Sequence, residues 1–158
     1  MVREYSSGRL SDTFLRIIPS DPTCVPSALA RERALGVLRR AVPLAEDVAW
    51  QVTDEVRFVD AGANFETVSC PACGADLAEW WSLIMEVAHE QQFRDLRVTT
   101  PCCAVRTSLN ELAYSVPAGF ARYTLEVLNP GLGSLPESLV RRLEAALGAS
   151  VRVIWAHY

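Results

Sequence analysis

The chain has 158 residues, of which 50% are hydrophobic and 22% charged; that balance fits one packed domain and argues against disorder. Nineteen acidic against fifteen basic residues give a net charge of −4 and a pI near 5.2, which disfavours binding nucleic acid mainly by phosphate neutralisation, since that requires clustered cations. The cations are all arginines. Met1–Gly8 carries no apolar leader, and no run approaches the roughly 18 apolar residues of a membrane span, so a soluble cytoplasmic protein is expected.

In chain order, Thr13–Ile18 is a β-rich run stopped by Pro19, followed by a loop with Pro22 and Pro26. Ser27 then caps a predicted helix in which Ala34, Leu35, Leu38, Ala41 and Val42 recur at helical spacing, ended by Pro43. From Val48 to Phe58 the even positions Val48, Trp50, Val52, Val56 and Phe58 are apolar, the period of a long strand, bent at Asp54. The last third repeats this order. Tyr123, Leu125 and Val127 alternate with Arg122, Thr124 and Glu126. Asn129–Gly133 breaks the strand, and Pro136 opens a helix carrying Leu139, Leu143 and Leu147, closed by Gly148. Val151, Val153 and Trp155 mark a final strand.

Strand, helix, strand at each end predicts an α+β fold: a ferredoxin-like βαββαβ antiparallel sheet, with both helices on one face and spatial order 4-1-3-2. The chain is expected to be a single domain, 1–158, with residues 62–116 inserted between the second and third strands. In that insertion Leu77, Trp80, Trp81, Ile84, Val87 and Ala88 describe an amphipathic helix with Asp76 as its cap. Leu96–Thr100 is extended, and Ser108–Tyr114 fits either a strand or a helical turn. The helical spacing of Trp80 and Trp81 places them in a core rather than on a recognition surface.

Five cysteines without an export signal favour a metal or free thiols over disulfides. Four of them form two knuckles, Cys70-Pro71-Ala72-Cys73-Gly74 and Cys102-Cys103. Thiolates about 2.3 Å from a tetrahedral zinc sit roughly 3.8 Å apart, which a C-x-x-C turn ending in Gly delivers. Cys102 and Cys103 are harder to accommodate, because neighbours in a strand point to opposite faces; a turn after Pro101 would bring both to one metal. A disulfide between them would be strained, since adjacent Cα atoms lie about 3.8 Å apart. The expected ligands of a structural Zn2+ are therefore Cys70, Cys73, Cys102 and Cys103. Three cysteines with His89 or Cys24, or redox chemistry without a metal, are the alternatives.

Four thiolates leave a zinc neither an open position nor a carboxylate base, so a catalytic metal is not expected. His89-Glu90 lacks the second histidine of a metalloprotease, position 93 being Phe, and the order of His89 and Cys73 is wrong for a zinc deaminase. His89 lies about 140° from the apolar stripe, on a wet flank. His157 has no evident partner. Asp60–Glu66 reads as a polar turn rather than a ligand loop. Cys24, with no base beside it, reads as a spare thiol.

Leu15–Pro19, Asp54–Asp60, Cys70–Gly74, Thr100–Cys103, Ser108–Leu112 and Leu125–Pro130 together resemble a bacterial family of small C-P-x-C-G…C-C zinc-binding proteins without an assigned function. The resemblance implies a standing domain with a zinc site and carries over no catalytic residue. The reading is a non-enzymatic, zinc-stabilised protein-binding module of regulator or immunity-inhibitor type, with another protein as partner and no membrane. A homodimer through the sheet face is an alternative, as is a nucleic-acid-binding zinc ribbon using Arg16, Arg122, Tyr123 and Arg152. A non-metal enzyme site on the open sheet face or the Asp60 loop is the third.

Overall fold

The computed structural model describes residues 11–158, so the reading of Met1–Gly8 lies outside the described residues. The elements in chain order are β1 (Thr13–Pro19), α1 (Ala28–Ala41), β2 (Asp47–Val59), β3 (Val68–Ser69), α2 (Ala78–Glu90), β4 (Arg97–Thr99), β5 (Arg106–Ser108), a 3-10 turn (Leu109–Glu111), β6 (Ala113–Tyr114), β7 (Gly119–Leu128), α3 (Glu137–Leu147) and β8 (Val151–His157). Four strands make an antiparallel sheet in the order β2-β7-β1-β8. The segment left open between Ser108 and Tyr114 is split, the end of β5 passing through the 3-10 turn into β6.

One face of the sheet is apolar because alternate residues are: Leu15 and Ile17 of β1 and Tyr123, Leu125 and Val127 of β7 are wholly buried. Over them lie Ala34, Leu35 and Leu38 of α1 and Leu139, Leu143 and Leu147 of α3. Each such large side chain taken fully from water contributes about 1.5–3 kcal/mol. The helix ends follow local chemistry. Ser27 Oγ accepts the Ala30 amide at 3.2 Å, and Gly148 closes α3 in the left-handed region at φ 70°.

The even-numbered alternation of β2 does not describe one face. Val52 pairs with Tyr123 and Arg57 with Ala121, so the four residues Thr53–Val56 stand opposite the single Arg122. Side chains change face at every residue, and a surplus of three therefore exchanges the two faces. Val48, Trp50 and Val52 pack under the helices, whereas Val56 and Phe58 pack on a second cluster. The bulge is held internally: Thr53 Oγ1 donates to the Glu55 carbonyl at 2.6 Å, and Arg122 Nε donates to the Thr53 carbonyl at 3.0 Å.

That second cluster belongs to the segment between β2 and β7. Val68, Cys70, Leu77, Leu109, Leu112 and Phe120 are buried in it. Phe58, Phe65, Trp81 and Tyr114 surround them with ring centroids 5.1–6.3 Å apart. Asn110 joins this segment to the sheet. Its side chain donates to the Ser20 carbonyl at 3.1 Å and accepts the Phe120 amide at 3.0 Å, while Arg152 donates to its carbonyl and to that of Ala118.

The loop after β2 is tied to the end of β8. Asp60 accepts from the Gly62 amide and the Tyr158 hydroxyl, and Ala63 N donates to the His157 carbonyl at 2.8 Å. His157, which has no partner evident in the sequence, lies 2.9 Å from Thr13 Oγ1 across the β1–β8 pair. Gly62 has φ 58°, and a Cβ there would meet the His157 carbonyl oxygen at 2.5 Å. Gly62→Ala is therefore expected to cost about 1–3 kcal/mol; a lowered urea midpoint checks this, and an unchanged midpoint contradicts it.

Candidate metal centre

Each cysteine knuckle is built by the same backbone bonds. In the first, Cys70 N donates to the Ala75 carbonyl at 2.9 Å and Gly74 N to the Cys70 carbonyl at 2.9 Å. In the second, Thr100 N donates to the Val105 carbonyl at 3.0 Å and Ala104 N to the Thr100 carbonyl at 3.1 Å. The fifth residue of each is left-handed, Gly74 at φ 75° and Ala104 at φ 57°. Both have a buried first residue, four exposed residues and a half-buried sixth. Residues 70–75 and 100–105 are thus equivalent turns, Cys-Pro-Ala-Cys-Gly-Ala against Thr-Pro-Cys-Cys-Ala-Val.

This equivalence resolves the adjacent cysteines. Cys103 matches Cys73, the ordinary second ligand of a knuckle. Thr100 occupies the place of Cys70, and Cys102 enters from the position held by Ala72. Thr100 is 2% exposed, with its hydroxyl 3.6 Å from Cys103 Sγ and 3.9 Å from Cys70 Sγ. The cysteine spacing alone does not mark Thr100 as part of the centre; the alignment of Pro71 with Pro101 does.

The four sulfurs lie within 4.8 Å of one another and could hold a metal ion. Cys73 and Cys102 are 3.3 Å apart, Cys70 and Cys103 3.7 Å, and Cys102 and Cys103 3.9 Å. These separations bracket the roughly 3.8 Å edge of a tetrahedron with thiolate bonds of about 2.3 Å. All four cysteines are free thiols.

The cluster resists full ionisation by itself. The Cys73 amide holds the Cys70 thiol down to about 6 against the desolvation of its site, helped by the Ala72 amide and the neighbouring thiols. At Cys73 the Ala75 amide pulls downward but is outweighed by the hydrogen bond with Cys102, by desolvation and by Cys70 and Cys103, and the thiol is pushed up to about 12. One thiolate forms readily and its neighbour then resists. A cation among them removes that repulsion.

The alternative ligands are not brought to this centre. Cys24 is half-buried in the loop before α1, its thiol pushed up by burial and by Asp21. His89 is exposed on α2, edge-on to Phe93 at 5.7 Å. The N-cap position of α2 is Leu77 rather than the expected Asp76, which lies one residue earlier and accepts the Ala78 amide at 2.8 Å. Trp81 is half-buried among the aromatic rings and donates to the Tyr114 hydroxyl at 3.2 Å.

Of Arg16, Arg122, Tyr123 and Arg152, Arg16 and Arg122 border one hollow of the sheet. Tyr123 lies under the helices. Arg16 pairs with Glu126 at 2.8 Å, and Arg122 and Arg152 donate to backbone carbonyls. Among the described residues no helix is long and apolar enough to cross a membrane. No protein-family model, curated protein or solved structure matches the chain.

The equivalence of the knuckles makes a rescue prediction. Cys102→Ala is expected to weaken metal binding by at least about tenfold, since even outer-shell changes cost that much. Adding Thr100→Cys moves the sulfur to the ordinary knuckle position and should restore affinity. Competition against a chromophoric chelator measures both, and a double variant no tighter than Cys102→Ala would contradict the equivalence.

Proposed function

We propose that the chain is a non-enzymatic protein-binding module of regulator or immunity-inhibitor type, stabilised by a structural zinc. The observation that carries this reading is the four-sulfur cluster. A tetrahedral site closed by four thiolates is the usual form of a structural zinc, with no position left for a reacting water. Thiolate softness favours zinc over calcium or magnesium, which take oxygen ligands. Zinc held by reduced thiols suits the cytoplasm of a bacterial cell.

On this reading the four-stranded sheet and its two covering helices are a ferredoxin-like βαββαβ unit, supported by the strand order β2-β7-β1-β8 with antiparallel neighbours. Residues 62–116 are its zinc-ribbon-like insertion, supported by the pair of equivalent knuckles. The same two features favour the family of small bacterial C-P-x-C-G…C-C proteins.

The metal then serves a surface. Strands of two or three residues are too short to stand alone, and the zinc would fix them so that α2 is held beside the edge of β2. Protein binding is favoured by what this creates, a groove of about 1200 Å³ between α2 and β2, floored by apolar side chains and rimmed by charge.

Native mass spectrometry of the purified chain should show one zinc per molecule, absent from Cys73→Ser. Chelation should lower Tm and raise amide exchange around Val68, Leu77 and Leu112 before it does so in β1 and β8, because metal binding energy is also folding energy. Full zinc retention in Cys73→Ser would overturn the four-cysteine assignment. A purified partner forming a stoichiometric complex tests the binding role, which fails if only a small molecule shifts Tm.

A further inference from the structure

The groove between α2 and β2 contains an unused strand edge. β2 is the outer strand of its sheet. Beyond the bulge Phe58 stands opposite Phe120, whose amide donates to Asn110 Oδ1 at 3.0 Å and so points away from β2. The two phenylalanines are therefore a non-hydrogen-bonded antiparallel pair, in which the N–H and C=O of each residue turn away from the other strand. For Phe58 that direction is the free edge, and Phe58 lines the groove.

Side chains on both walls suit an extended occupant. Val56, Phe58, Trp81 and Met85 offer apolar contact, and α2 stands as the opposite wall. Glu55, Glu86 and Glu90 border it, against Arg57 and His89. Among the described residues no ion pair engages these three glutamates. Glu86 and Glu90 are one helical turn apart and both exposed, so their like charges repel and gain from a cation placed between them.

We infer that this groove receives an extended segment of a partner protein carrying alternating apolar and basic residues, which adds as a strand to the Phe58 edge of β2. The inference rests on the protein-binding reading and supplies the chemistry of the partner. Strand addition draws affinity from main-chain hydrogen bonds and specificity from alternate side chains, and the groove provides the first through Phe58 and the second through its apolar floor and acidic rim. A second copy of this chain is a poor occupant, because its β2 edge, carrying Asp54 and Glu55 and followed by Asp60, would bring further carboxylates to a groove already bordered by Glu55, Glu86 and Glu90.

The test uses the full, zinc-loaded chain and an acetylated octapeptide alternating Arg and Val, followed by amide resonances. Expected are shifts centred on Val56, Phe58 and Met85, slowed exchange of the Phe58 amide, and binding at least about tenfold tighter than that of a Glu/Val octapeptide. The double variant Glu86→Lys, Glu90→Lys, whose sites are exposed on α2 and whose fold is checked by the same spectrum, should reverse the preference. Equal binding of both peptides, shifts confined to other surfaces, or a dimer formed through the Phe58 edge would overturn the inference. If a purified partner bound the double variant as well as the native chain, the protein-binding reading would stand and the groove assignment would fall. If the Arg/Val peptide docked at Phe58 while no protein partner formed a complex, the groove assignment would stand and the wider reading would fall.

Discussion

The bulge in β2 is the constraint from which the rest of the molecule follows. A regular strand from Asp47 to Val59 would place Phe58 under the helices with Val48 and Val52. Three surplus residues turn it to the other face, where Phe58 meets Phe120 at 5.1 Å and Trp81 at 5.7 Å. Those contacts seed the second hydrophobic cluster, and the segment between β2 and β7 has that cluster to pack against. Without the reversal the second cluster would lose the contacts of Phe58 with Phe120, Trp81 and Tyr114 that join the segment to the edge of the sheet.

What the bulge provides, the polar joints and the cysteines make permanent. Asn110 is 4% exposed and serves β7, β8 and Ser20, the residue after β1, through one side chain and one carbonyl. Leaving its partners unpaired inside the protein would cost about 1–3 kcal/mol for each. At the far end of the segment β3–β6 and β4–β5 are ladders of two and three residues, too short for ladder bonds alone to hold. The knuckles follow β3 and β4 directly, so a metal at the four sulfurs would clamp both short ladders where they are weakest.

Much of this was legible in the sequence because it is periodic. The helices and outer strands announced themselves through spacing and caps: Ser27, Pro136 and Gly148 stand within a residue of the boundaries. The site was legible because four of five cysteines occur in two knots. The bulge was hidden by coincidence. Its surplus of three residues carries the apolar side chains from one face to the other while leaving Val48, Trp50, Val52, Val56 and Phe58 all at even numbers, so the alternation looks unbroken. Thr100 was hidden because a search for sulfur does not see a hydroxyl, and only the backbone bonds show that it fills the place of a cysteine. Asn110 reaches Ser20 and Arg152, and His157 reaches Thr13, across more than 40 residues, which no local pattern encodes.

The acidic residues beside β2 join these points. An outer strand with free amides invites pairing with any other strand, and proteins commonly blunt such edges with charge or a bulge. Here both devices occupy the same stretch: the bulge spans Thr53–Val56, and Asp54 and Glu55 lie within it. Repulsion between identical carboxylates opposes self-pairing at this edge, but it opposes a basic strand not at all. Together with Glu86 and Glu90 on the facing helix, the charges that protect the edge from its own kind are the charges that would select a partner. The bulge is what carries the edge to that helix, so protection and recognition arise from one local irregularity.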